Sequence, residues 1–121
     1  NDGSTALHMA VQTAHEGLTE LLCQEGIDMS LSMAGGWSAL HIAAHQGYPK
    51  LVDIMVKAKA NVEQPMDLGW TPLFTAAQME QLEVAKVLVK AGAQVEPVMK
   101  LAKETNQDLA TNSLERWKEE L

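Results

Sequence analysis

The sequence predicts an all-α solenoid of stacked helix pairs, and three observations carry that prediction. A 33-residue period runs through most of the 121 residues. Inside each period, apolar residues recur at helical spacing. The composition, 46% hydrophobic but only 4% aromatic, suits closely packed helices rich in Ala and Leu better than a β-sandwich.

The period is read from columns. Gly3, Gly36 and Gly69 are each 33 residues apart, as are Leu7, Leu40 and Leu73, and Ala10, Ala43 and Ala76. Leu18, Leu51 and Val84 align, followed by Leu21, Ile54 and Val87, then Leu22, Met55 and Leu88, and finally Met29, Val62 and Val95. Each copy opens with a Gly-bearing turn, then Thr or Ser, then Ala or Pro, with Pro72 suited to the first helical position. A short first helix follows, in which a small residue such as Ala43 allows a neighbour to approach closely. The second helix of the middle copy carries Leu51, Ile54, Met55 and Ala58, the i, i+3, i+4, i+7 spacing of a buried stripe. Pro49 marks its start, and Gly26 and Gly92 mark the corresponding ends in the other copies as left-handed C-caps. A pair this small cannot bury its own apolar face, so it must stack on copies of itself.

Gly36–Ala44 and Gly69–Ala77 follow the pattern Gly-x-Thr-Pro-Leu-His-x-Ala-Ala closely, and Gly3–Val11 follows it more loosely. On these residues the chain resembles the ankyrin-repeat family over residues 1–96, in units 1–33, 34–66 and 67–96. The resemblance implies an ankyrin-repeat solenoid of antiparallel helix pairs, each with a projecting β-turn. Three departures stand out. The inter-helix Gly47 is replaced by Ala14 and Glu80, Lys59 stands where a C-cap Gly is expected, and the signature His becomes Phe74. Residues 97–121 break the period. Pro97-Val98-Met99-Lys100-Leu101-Ala102 reads as a degenerate helix start 25 residues after Pro72, and Leu109, Leu114, Trp117 and Leu121 as the stripe of a following helix. We read this segment as a degenerate C-terminal capping helix pair, with a linker helix to another domain as the alternative. No polar cap precedes Gly3, so further repeats are expected upstream.

Charge narrows the function classes. The net charge is −7, and residues 1–49 hold five acids and no Lys or Arg. Phosphate attraction needs basic side chains, so neither nucleic acid nor an anionic membrane is the expected partner. No apolar run approaches the roughly 18–20 residues of a membrane span, and no signal peptide is visible. The chain starts at Asn1, as an excised fragment would. One cysteine, Cys23, cannot form an internal disulfide, which favours an intracellular setting, cytoplasmic or nuclear.

Chemistry-bearing residues have plain structural readings. His41 and His45 share a metal-compatible i, i+4 spacing, but no third ligand is evident. The resemblance gives His8 and His41 a part in tying turn to helix. Cys23 lies in an apolar stripe and reads as buried filler. Glu16 with Glu20, and Glu80 with Glu83, read as solvated faces, and Asp53 with Lys57 as a surface pair. No catalytic residue, metal site or cofactor is expected, and the chain is not expected to be an enzyme.

The sharper feature is Trp37 and Trp70, each following a turn Gly at equivalent positions. The resemblance implies a partner-binding concave surface built from turn tips and first helices. Carried over by position, it comprises Met33, Ala34, Trp37, His45 and Gln46, then Met66, Asp67, Leu68, Trp70, Gln78 and Met79, with Asp2, Ser4, Gln12 and Thr13 from the first unit. Tryptophan is enriched at binding hot spots. The expected function is a non-catalytic module holding another protein or peptide segment, monomeric within a longer chain. The alternative is a regulatory or targeting segment of a larger multidomain enzyme or channel.

Overall fold

The computed structural model describes residues 3–121, with side chains from Ala6 onward. The contact roles expected of Asp2 and of the Ser4 side chain therefore lie outside the described residues. Three helix pairs follow the 33-residue period: α1 (Gly3–Gln12) with α2 (Glu16–Gln24), α3 (Ala39–Gln46) with α4 (Pro49–Lys57), and α5 (Pro72–Gln78) with α6 (Leu82–Lys90). A fourth pair, α7 (Val95–Glu104) and α8 (Asp108–Arg116), completes the fold.

Local chemistry sets the helix starts. Ser38 and Thr71 are extended residues just before α3 and α5, and their hydroxyls accept the His41 and Phe74 backbone N–H groups, each at 3.3 Å. Such N-caps contribute about 1 kcal/mol each. Pro49 and Pro72 open α4 and α5, where a missing N–H costs nothing. At α2 the cap is an imidazole, His15 Nδ1 accepting from Leu18 N–H at 3.1 Å.

The inter-helix corners need a left-handed residue. Ala14, Gly47 and Glu80 take φ of 57°, 83° and 58°, so the two substituted copies keep the Gly geometry at a cost of about 1 kcal/mol each. Lys59 likewise adopts φ 76° where its counterparts Gly26 and Gly92 have 82° and 107°.

The first helices α1, α3 and α5 pack side by side in one layer, and α2, α4 and α6 form the second. Leu7, Leu40, Leu73, Ala10, Ala43 and Ala76 are buried between them, and Met55 and Leu88 fill the second layer's core. Alanine at the shared column keeps the helix axes close. Between pairs project two β-turns. Gly36 N–H donates to Met33 C=O at 3.0 Å and Gly69 N–H to Met66 C=O at 2.8 Å, while Met33 and Met66 N–H donate to the Trp37 and Trp70 carbonyls, both at 2.8 Å. Asp67 N–H reaches Gly35 C=O at 3.1 Å and joins one turn to the next. Gly36 is obligatory there: φ is +86°, and a Cβ would sit 2.8 Å from the Asp67 nitrogen.

The last pair corrects the expected register. Asn106 takes the corner geometry, φ 57°, 26 residues after Glu80. The bond from Gln107 N–H to Ala102 C=O repeats that from Gln81 to Ala76. The offset is thus 26, not 25, and α7 begins at Val95 rather than Pro97, which sits harmlessly in the first turn. Only residues 91–94 link α6 to α7, whereas 58–71 link α4 to α5, so no turn projects here. The α8 stripe is Ala110, Leu114 and Trp117, all buried, with Leu121 packed against them. Leu109, placed on that stripe by sequence, is exposed because it lies off that face. The pair does not extend both layers evenly, since α8 makes the broadest contact of this pair with α5. Arg116 bonds Glu80 at 2.9 Å, and Lys86 approaches Glu83 at 3.7 Å and Glu120 at 3.4 Å, so Glu80 and Glu83 are ion-paired rather than merely solvated.

Leu18 and Leu21, aligned by sequence with core columns, are exposed at the outer edge of the first pair. Cys23 is half-buried, not buried. Its thiol donates to the Met29 sulfur at 3.8 Å, and burial first, with Glu20 second, raises its pKa, which keeps it protonated and weakly nucleophilic.

Candidate interaction surface

The turn histidines tie each repeat to the next. His8 Nε2–H donates to Trp37 C=O at 3.0 Å, and His41 Nε2–H donates to Trp70 C=O at 3.0 Å. A carbonyl only accepts, so in neutral His41 the other nitrogen is the acceptor, and Ser38 Oγ–H donates to it at 2.7 Å. Burial pushes the His41 pKa below its ordinary 6.5, with hydrogen bonds to the Trp70 and Gln64 backbone pulling the other way. This ladder positions both tryptophans, because each carbonyl it grips belongs to one.

Phe74 stands where a third histidine would reach a third turn between pairs, and that turn is the one lost in the shortened last repeat. A buried donor there would have no carbonyl to meet. Phe74 instead stacks on Trp70, centroids 4.7 Å apart and planes at 18°.

Trp37 is differently placed. Its ring meets His45 edge-on, centroids 5.3 Å apart at 86°. Together they line a groove of about 310 Å³ with Gln12, Met33, Ala34, Ile42 and Gln46. Six residues expected at the contact face (Gln12, Met33, Ala34, Trp37, His45, Gln46) thus converge. Ile42 was missed. Its helical position reads as core, and in the structure it is largely buried while one side still lines the groove.

The other expected residues are not in this groove. Trp70 is half-buried under its stack with Phe74, while Leu68 and Asp67 are exposed at the second turn. Met66 anchors that turn, its sulfur accepting from the Thr75 hydroxyl at 3.9 Å. Met79 is exposed at the end of α5. Thr13 turns its hydroxyl back to the Met9 carbonyl at 2.9 Å. Gln78 is engaged within the fold: its Nε2 donates to Gln107 Oε1 at 3.1 Å and its Oε1 accepts from Ala110 N–H at 2.9 Å. It caps the start of α8, which has no side-chain cap of its own, and so both its polar atoms are committed within the fold.

Charge is segregated from the Trp37 groove. A larger cleft of about 650 Å³ lies between α2 and α4, lined by Glu16, Glu20, Lys50, Asp53 and Lys57 among others. The Asp53–Lys57 pair there is 3.1 Å apart. The Trp37 groove has no carboxylate or ammonium in its lining. Among the described residues, no three His, Cys, Asp or Glu side chains converge as a metal site, and no helix is long and apolar enough to cross a membrane.

Comparison with known families matches residues 26–99 to a model described as ankyrin repeats (three copies), and residues 2–33 to one for a single ankyrin repeat. No curated protein matches the chain.

Proposed function

The chain belongs to the ankyrin-repeat family, and from that premise we propose that it is a non-catalytic module binding a segment of another protein along its turns and first helices, centred on Trp37. The groove carries this reading. Met33, Ala34, Trp37 and Ile42 give it an apolar floor, and Gln12, Gln46 and His45 place polar groups around it. Its volume of about 310 Å³ accommodates one or two side chains of a partner. An uncharged lining disfavours a phosphate or a cation as the primary anchor. In this reading Trp70, Leu68 and Met79 extend the contact beyond the groove, and α7 and α8 close the array as its C-terminal cap. The free Cys23 and the acidic coat support a monomeric module in an intracellular setting.

The test is affinity capture from cell extract with wild-type protein, followed by calorimetry with each partner recovered. Trp37→Ala combined with Trp70→Ala should weaken binding at least ~30-fold, the effect of hot-spot truncation, with the helical circular-dichroism signal retained. Glu20→Ala, in the cleft between second helices, should leave affinity unchanged. Equal affinity in the double-Trp variant, or an equal loss in Glu20→Ala, would move the contact elsewhere.

A further inference from the structure

The hydrogen-bonding groups around the Trp37 groove are uncommitted, unlike similar groups elsewhere in the chain. Gln64, Gln78 and Gln81 each donate an amide N–H within the fold, to Ser30 C=O, Gln107 Oε1 and His45 C=O. The side-chain amides of Gln12 and Gln46, both on the groove, have no hydrogen-bond partner among the described residues. Neither has the Trp37 indole N–H. Gly35 keeps that edge of the ring open, since a Cβ there would lie 3.3 Å from Cδ1 and 3.6 Å from Nε1. The turn's backbone, by contrast, is engaged. Trp37 C=O accepts from Met33 N–H and His8, Met33 C=O from Gly36 N–H, and Gly35 C=O from Asp67 N–H. A ligand here meets side-chain donors beside an indole ring rather than an open strand edge.

We propose that the groove recognises a proline-rich segment in the extended polyproline II conformation. The proposal rests on the protein-binding reading above and names the chemistry of its partner. The recurring modes of peptide capture make different demands, and the structure separates them. Strand addition needs a free backbone edge, which the turn has taken up in its own bonds. A docked amphipathic helix anchors several side chains along its apolar face, and a groove of about 310 Å³ is too small for them. The next repeat does not extend it, because Trp70 lies on Phe74 and Gln78 caps α8. A phosphorylated or terminal group needs a counter-charge, and the lining holds no carboxylate or ammonium. Polyproline II asks for what is present. Proline carries no backbone N–H, so such a segment presents backbone acceptors alone, and the Trp37, Gln12 and Gln46 N–H groups are their donors. Its rings pack on aromatic side chains, and Trp37 supplies one with Met33 and Ile42 beside it. The segment is extended before it binds, so a small contact is not offset by a large ordering cost.

The experiment titrates the isotope-labelled 121-residue chain with a capped oligoproline peptide of about ten residues. A capped alanine-rich helical peptide of equal length runs in parallel. Nuclear magnetic resonance follows the indole N–H signals of Trp37, Trp70 and Trp117. Oligoproline should shift the Trp37 signal in a saturable way and leave that of buried Trp117 in place. The helical peptide should shift neither. Trp37→Phe keeps an aromatic ring but loses the N–H, and should weaken oligoproline binding about 5–10-fold. Gln46→Met, of similar length, should weaken it about 3–5-fold. Both variants should keep the helical circular-dichroism signal. A Trp37 signal unmoved at about 1 mM oligoproline, or moved as far by the helical peptide, would overturn the proposal. Wild-type affinity in Trp37→Phe would overturn it too, since the indole donor would then play no part. The two readings fail separately. A partner captured from extract that loses affinity in the double-Trp variant, yet whose bound segment maps to a stretch without proline, leaves the binding surface standing and removes only the proline assignment.

Discussion

Replacing His41 by alanine removes a buried ring, the Nε2–H bond to Trp70 C=O and the acceptor of the Ser38 hydroxyl in one step. Two neutral hydrogen bonds contribute about 1 kcal/mol each. The void left by a fully buried imidazole adds about 1–3 kcal/mol more, because the surrounding packing relaxes only in part. Trp70 C=O keeps its bond from Met66 N–H at 2.8 Å, so that carbonyl is not left unpaired. The sum is a loss of about 3–5 kcal/mol, or on the order of 10–20 °C in thermal midpoint for a chain of this size. Circular dichroism during urea and thermal unfolding measures it, and hydrogen exchange locates it. The amides of Met66 and Gly69, which hold the turn His41 grips, should lose protection first. The same substitution tests the pH dependence. The folded pKa of His41 lies below the unfolded value near 6.5. As pH falls through 6.5 the unfolded chain takes up a proton that the folded ring resists, so stability is held above that pH and lost below it. Wild-type stability should therefore fall more steeply between pH 7 and 5.5 than that of the alanine variant. A midpoint loss under about 3 °C, or identical pH slopes, would refute the buried, neutral, turn-tying role.

Three further substitutions test other parts of the argument. Phe74→His restores the family signature but should destabilise the protein by about 1–3 kcal/mol, because it buries a donor with no facing turn; a higher denaturation midpoint would contradict this. Gln78→Leu should cost about 1–2 kcal/mol by uncapping α8, and should red-shift Trp117 emission in a variant whose other two tryptophans are phenylalanine. No spectral change would mean that Gln78 does not hold α8 in place. Lys59→Gly should stabilise by up to about 1 kcal/mol, since φ 76° is strained for lysine; an unchanged or lower urea midpoint would show the strain to be negligible.

Much of the groove's lining was legible because its spacing is periodic. Met33, Trp37, His45 and Gln46 are placed by their offset from Gly36, and a turn followed by a helix fixes those offsets in space. Ile42 was hidden, since a residue on a helix reads as core whenever its neighbour across the stack is unknown. The internal bonds of Gln78 were hidden for a related reason. Its first-helix position suggests the contact face, but α8 returns over α5 and draws both its amide atoms inward.

The two Gly-Trp turns show where sequence ends and tertiary structure begins. The 33-residue columns, the Ser and Thr caps, the proline starts and the left-handed corners at Ala14, Gly47, Glu80 and Lys59 are determined locally, because each depends on residues within one or two turns of chain. The fates of the two tryptophans are not. Trp37 opens a groove with His45, whereas Trp70 closes onto Phe74. That difference follows from the contacts each repeat makes with its neighbours and from the seven residues missing between the corners at Glu80 and Asn106, 26 apart rather than 33. The exposure of Met9 and Leu18 is decided the same way. A solenoid side chain is buried by the repeat beside it, and a periodic sequence states its own pattern without stating what lies at the end of the stack.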